Sequence, residues 1–380
     1  MDLSFSASEQ AFRAEVRRWL AEHVPASPLP SMDTAEGFEA HRRWERKLAG
    51  QRYSVVSWPT EYGGRAASVI EWLIFEEEYW AAGAPGRVSQ NGINLLAPSI
   101  LDHGTAEQKA RFLPAMASGA QIWAQAWSEP EAGSDLASLR STAIRAPADD
   151  GWLLSGQKTW SSRAAFADWG FGLFRTDPAA ERHHGLTYFV FPLSAPGVTV
   201  RPIPQFDGEP GFAELFFDAV HVPDTDVLGA VGDGWKVTMA TAGKERGLYL
   251  RSPGRFLATA HRLLALWTAS GRPEAFGDRV ADAWIGARAY QLATFETAAR
   301  IADGGELGAE TSVNKLFWSE LDLAMHETAL DLLGPEAEQL DSAWMDGYLF
   351  ALAGPIYAGT NEIQRNVVAE RVLGLPRGTR

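Results

Sequence analysis

The chain has 380 residues, 46% hydrophobic and 22% charged, with a formal net charge of -14 at pH 7. That length supports more than one packed domain, and the acidic balance argues against a nucleic-acid binder and against general attraction to anionic membranes. The absence of cysteine removes disulfides, thiolate metal sites and thiol nucleophiles, and the eight histidines show no metal-ligand spacing, so no metal is expected.

Residues 1–120 read as helical. Phe12, Val16, Trp19 and Leu20 recur at helical spacing. The charged opening segment lacks the apolar run of a targeting signal, which makes a cytoplasmic protein the expectation. No stretch approaches the ~18 apolar residues of a membrane span. The run from Val69 to Trp80 reads as a buried helix with carboxylates on its outer edge. Thr105 and Gln108 form a capping-box pattern, and Pro59 with Gly63 and Gly64 separates two helices. Residues 121–230 change character: short alternating runs such as GWLLSGQKTW, LTYFVFPL and AELFFDAVHVP, divided by Gly, Pro and Asp, predict strands. From 231 helical periodicity returns to the end. Helices, then strands, then helices predict an α+β chain with a β-domain between two helical ones.

Single motifs are weak. AWSEPEAGSD suits a surface loop as well as a loop that holds a polar ring or phosphate. Trp160, in GQKTWSSR, suits a core position as well as a stacking platform. IYAGTNEIQR has ordinary helix-start chemistry. Their combination and order are specific. With WPTEYGG, GTAEQKARFLP and KERG, they give a chain that resembles the acyl-CoA dehydrogenase family over nearly its whole length.

The resemblance implies an N-terminal helical domain (1–120), a middle β-barrel domain (121–230) and a C-terminal four-helix bundle (231–380). It implies FAD between the last two, and FAD-dependent α,β-dehydrogenation of an acyl-CoA. By matching position, Trp127 and Ser128 lie against the flavin ring, Trp160 packs on its dimethylbenzene side, and Ser162 stands where relatives have Thr. Ser128 likewise replaces Thr, which keeps the hydroxyl. Ser134 matches a contact to the CoA part of the thioester. Gly359, Thr360 and Glu362 fall in the cofactor-binding segment.

The reaction needs a base for the α-proton. Relatives place a Glu in I-Y-E-G-T, whereas here Ala358 occupies that position. A sub-branch carries the base immediately before an Arg on the first long helix of the bundle, and Glu245 with Arg246 matches it. The plainer alternative is a surface Glu paired with Lys244 or Arg246. Glu362 is acidic or amide in relatives with the ordinary base, and is read as structural. Ala358 retains a backbone N–H able to hold the thioester carbonyl. Its small side chain leaves room for a branched or ring-bearing acyl group.

Two segments that relatives use for flavin contacts across a dimer interface are altered here, GRPEAFGDRV and DLLGPEAEQL. The resemblance implies an oligomer, either a homodimer or homotetramer or a heterotetramer with a homologous subunit. It implies an electron-transfer flavoprotein or similar acceptor. A flavin oxidase, a carrier-protein-linked dehydrogenase, or a non-catalytic subunit are the alternatives.

Overall fold

The computed structural model describes residues 4–148, 150–239, 252–305, 308–309, 311–339 and 342–376. Glu245 and Arg246 lie outside the described residues. The chain divides into two compact units, one of residues 1–26, 67–84 and 246–380, the other of 27–66 and 85–245. Helices precede strands and strands precede helices, as the pattern predicts. The units cut across that order, because the first and third helices group with the C-terminal ones.

In the first unit, α1 (Ala7–His23) and α3 (Val69–Ala81) each begin with a capping box, Ser6 with Glu9 and Ser68 with Glu71. The reciprocal bonds satisfy N–H groups that a helix start leaves unpaired. α1 buries Phe12, Val16 and Leu20. On α3 the expectation of carboxylates on an outer edge is corrected: Glu77 and Glu78 are buried. Arg13 Nη2 reaches Glu77 Oε2 at 2.9 Å and Arg17 Nε reaches Glu78 Oε2 at 2.8 Å, while Gln291 donates to Glu77 from the other side. Helical periodicity finds the apolar stripe of α3 but does not show that other helices cover the opposite face. α6 (Pro253–Ala269) approaches α3 at Gly254, where a Cβ would sit 2.7 Å from the Glu76 carbonyl oxygen. α6, α7 (Gly277–Ala302) and α8 (Thr311–Leu333) share a core of Phe256, Leu263, Tyr290, Trp318 and Met325. α9 (Ala343–Leu352) and α10 (Asn361–Val367), which runs into a π-helical turn (Val368–Val372), also belong to this unit.

The second unit holds α2 (Ala35–Gly50), a π-helical turn (Asn91–Leu96) running into α4 (Ala97–His103), and α5 (Ala106–Ala117). Thr105 and Gln108 form the predicted capping box on α5. Its described residues hold eight strands, β1 (Trp123–Ala126), β2 (Thr142–Arg145), β3 (Gly151–Ser162), β4 (Trp169–Arg175), β5 (Leu186–Pro192), β6 (Val198–Ile203), β7 (Phe212–Pro223) and β8 (Val227–Leu228). They form one sheet in the order β6-β7-β3-β2-β4-β5-β8, with β1 parallel to β4. β5 and β7 are far apart in that order, yet Phe191 and Phe217 meet edge to face at 5.1 Å, and Phe174 of β4 meets Phe217 at the same distance. The sheet therefore curls around its own aromatic core, which buries those rings with Trp152, Phe189 and Leu215.

Candidate active site

Among the residues expected to meet the cofactor, those of the second unit are set by β3. This strand turns Lys158 inward and Trp160 outward, and its register against β7 shifts between Lys158 and Ser161. At that irregularity Trp160 takes a left-handed backbone with φ 59°, and it is 60% exposed. A bulky residue is rarely found there, and such strain tends to mark function when the surroundings enforce it. Its ring touches Phe212 edge to face at 5.8 Å.

Ser128 lies beside this strand because the Thr159 N–H donates to the Ser128 carbonyl at 2.9 Å. The structure thus brings Trp127, Ser128, Trp160 and Ser162 onto adjacent backbone. The Trp127 indole N–H is buried and has no acceptor among the described residues. Ser128 and Ser162 are half-buried, and their hydroxyls make no hydrogen bond to another described residue. An exposed aromatic plate, an unsatisfied buried donor and two free hydroxyls fit the edge and face of a planar polar ring such as a flavin.

A feature missed in the sequence lies underneath. Lys158 is fully buried, with Nζ 2.8 Å from Glu129 Oε1 and 4.9 Å from the centre of the Phe174 ring. Burial pushes its ammonium down to about 8 despite the adjacent carboxylate. Glu129 is raised by burial, but Lys158 and donors from Ser141 and Arg140 outweigh this and hold it below the usual carboxylate range. The Arg140 and Ser141 N–H groups reach that carboxylate at 2.6 and 2.9 Å. One ion pair therefore ties the Trp127–Ser128 segment and the loop carrying Ser134 to β3. Ser134 is exposed, and its neighbour Asp135 pairs with Arg182 at 2.7 Å. Glu129 and Lys158 stand in the SEPEAGSD and GQKTW motifs, but nothing in their spacing shows that they meet.

In the first unit, the segment before α10 is a strained turn. Ala358 and Gly359 have φ of 56° and 78°, and Thr360 caps α10 by accepting from the Ile363 N–H. The backbone N–H groups of Ala358, Gly359 and Thr360 donate to no described residue. Three adjacent free donors form a natural seat for an oxygen that gains negative charge. Asn361, next in line, is buried and accepts from Lys315 Nζ at 2.7 Å and from the Ser319 hydroxyl at 3.2 Å. Glu362 is exposed; its own N–H and the Thr360 hydroxyl hold its carboxyl below the usual range, as befits an acid in the first turn of a helix.

Comparison with known proteins gives this arrangement its class. The chain matches the family models for the acyl-CoA dehydrogenase N-terminal domain over residues 6–120, the middle domain over 124–220 and the C-terminal domain over 232–373. It belongs to the acyl-CoA dehydrogenase family and is an oxidoreductase of that type. Acyl-CoA dehydrogenase IpdE1 of Mycobacterium tuberculosis is 40% identical, the match covering 97% of this chain and 98% of the relative. FadE26 of the same organism is 30% identical over the full length of both. Among solved structures, the Tcur3481-Tcur3483 steroid ACAD aligns with a TM-score of 0.89 at 27% identity, covering 100% of both chains. The ChsE4-ChsE5 complex from Mycobacterium tuberculosis aligns with a TM-score of 0.83 at 28% identity, again over 100% of both. No helix among the described residues is long and apolar enough to cross a membrane.

Proposed function

We propose that the chain catalyses FAD-dependent α,β-dehydrogenation of an acyl-CoA thioester, with Glu245 as the base. The observation that carries this reading is the 358–360 turn. It offers free N–H groups where family members hold the thioester carbonyl, while Ala358 offers no carboxylate. The Ala358 N–H binds the carbonyl oxygen and stabilises the charge that builds on it, which acidifies the α-carbon. Glu245, beside Arg246, takes the α-proton. FAD, when bound, supplies the acceptor for the β-hydride, so that one proton and one hydride leave and a double bond forms. Trp127, Ser128, Trp160, Ser162, Gly359 and Thr360 hold the cofactor, and Ser134 contacts the CoA portion of the substrate.

The small side chain at Ala358 and the likeness to a steroid ACAD favour a ring-bearing acyl group over a straight chain. The altered segments 271–280 and 331–340 favour a heteromer with a homologous subunit that completes the flavin sites. An electron-transfer flavoprotein is the acceptor and the cytoplasm the location in this reading. The test is anaerobic mixing of the flavin-loaded enzyme with ring-bearing and straight-chain acyl-CoAs, followed by mass analysis of the thioester. Loss of two hydrogens from a ring-bearing substrate is expected. Unchanged thioesters throughout would refute the activity, and a preference for straight chains would refute the substrate class.

A further inference from the structure

We propose that Gln364 is the positioning residue that presents the N–H face of the 358–360 turn to the thioester carbonyl, a role resting on the dehydrogenation reading above. Gln364 is fully buried on the first turns of α10. Its side-chain Nε2 donates to the carbonyl oxygens of Ala358 at 3.0 Å and Gly359 at 3.2 Å. An amide nitrogen has two hydrogens, so each carbonyl receives one. The amide orientation follows from these contacts, since reversing it would set an oxygen against two carbonyl oxygens. Its own oxygen is left buried without a donor among the described residues. An unpaired buried acceptor is costly, so the two carbonyl contacts are what this side chain is built to make.

The consequence for the turn is geometric. In a trans peptide the N–H points away from the preceding carbonyl. Holding the Ala358 and Gly359 carbonyls on the Gln364 side therefore turns the N–H groups of Gly359 and Thr360 the opposite way. The Ala358 N–H follows through its left-handed φ of 56°, a conformation that persists for a non-glycine residue only where its surroundings enforce it. Gly359 is part of the same device. A Cβ there would lie 2.4 Å from Gln364 Nε2, so only glycine allows the amide to come this close. The Gln364 N–H also donates to the Thr360 carbonyl at 2.9 Å, tying the residue to the cap itself.

The experiment compares wild type, Gln364→Met and Gly359→Ala as flavin-loaded enzyme. Isotope-edited infrared spectra are taken of a bound α,β-unsaturated, ring-bearing acyl-CoA labelled with carbon-13 at the carbonyl, a product-type thioester that needs no turnover. In wild type the carbonyl stretch should fall below its value in water. In Gln364→Met it should return towards that value, with kcat reduced roughly 100-fold, the size of losing one oxyanion donor, and KM within about threefold. Gly359→Ala, which disturbs the contact from the other side and keeps the glutamine, should move the stretch the same way. The proposal is overturned if folded variants keep the wild-type stretch, whether activity holds or falls together with flavin content. No shift in wild type itself would instead overturn the dehydrogenation reading on which the proposal rests.

Discussion

At Trp160 local backbone stability is set against the proposed contact with flavin. A left-handed tryptophan costs about 1–3 kcal/mol, and glycine adopts that backbone freely. Trp160→Gly is therefore expected to leave the flavin-free protein as stable as wild type or more so, while weakening flavin retention at least tenfold. Thermal unfolding of the apoprotein and a flavin titration check the two halves separately. Lys158 makes a second prediction, in pH. Its folded value of about 8 lies below the ~10.4 of an unfolded lysine. Between those pH values the unfolded chain carries a proton that the folded chain lacks, so unfolding takes up a proton and stability rises with pH. Denaturant titrations from pH 8 to 10 should show that rise in wild type and a flatter profile in Lys158→Met; identical slopes would contradict the assignment. These residues were only partly legible in the sequence. Trp160 stood out as an aromatic between hydroxyls, but its strain comes from the β3–β7 register. The meeting of Glu129 with Lys158 depends on a fold that joins positions 29 residues apart.

Helices and strands were easier to read than their surroundings. Ser6, Ser68 and Thr105 each start a helix through a capping box, a pattern confined to four residues and so visible in one dimension. Burial of Glu77 and Glu78 was not visible, because it depends on Arg13, Arg17 and α7 reaching α3 from distant parts of the chain. Two packing contacts can be tested. Gly254→Ala places a methyl carbon 2.7 Å from a backbone oxygen of α3, where no side chain can yield, and should cost about 1–3 kcal/mol. Arg87 and Glu45 form a buried pair with Nη2 to Oε2 at 2.8 Å, and Ser89 also donates to that carboxylate. Arg87→Met strands a buried charge and should cost about 3–5 kcal/mol, measured as a fall in the denaturation midpoint. A loss below about 1 kcal/mol in either variant would show that the contact relaxes freely.

Across the molecule, family membership was readable because SEPEAGSD, GQKTW and GTNEIQR fall in order along a chain of suitable length. The grouping of α1 and α3 with the C-terminal helices was not, since it is a property of three-dimensional contact. The vacancy at Ala358 was also plain in the sequence, but the free N–H groups beside it and their anchor at Gln364 required the structure. If Glu245 fills the vacancy, one comparison tests it most directly: the rate at which visible flavin absorbance bleaches when anaerobic enzyme meets a ring-bearing acyl-CoA. Wild type should bleach within the mixing experiment. Glu245→Gln should retain its flavin and its thioester affinity while bleaching about four orders of magnitude more slowly, the upper range for a lost general base. A Glu245→Gln enzyme that bleaches at close to the wild-type rate would contradict the assignment and return the search for the base to the residues around the 358–360 turn.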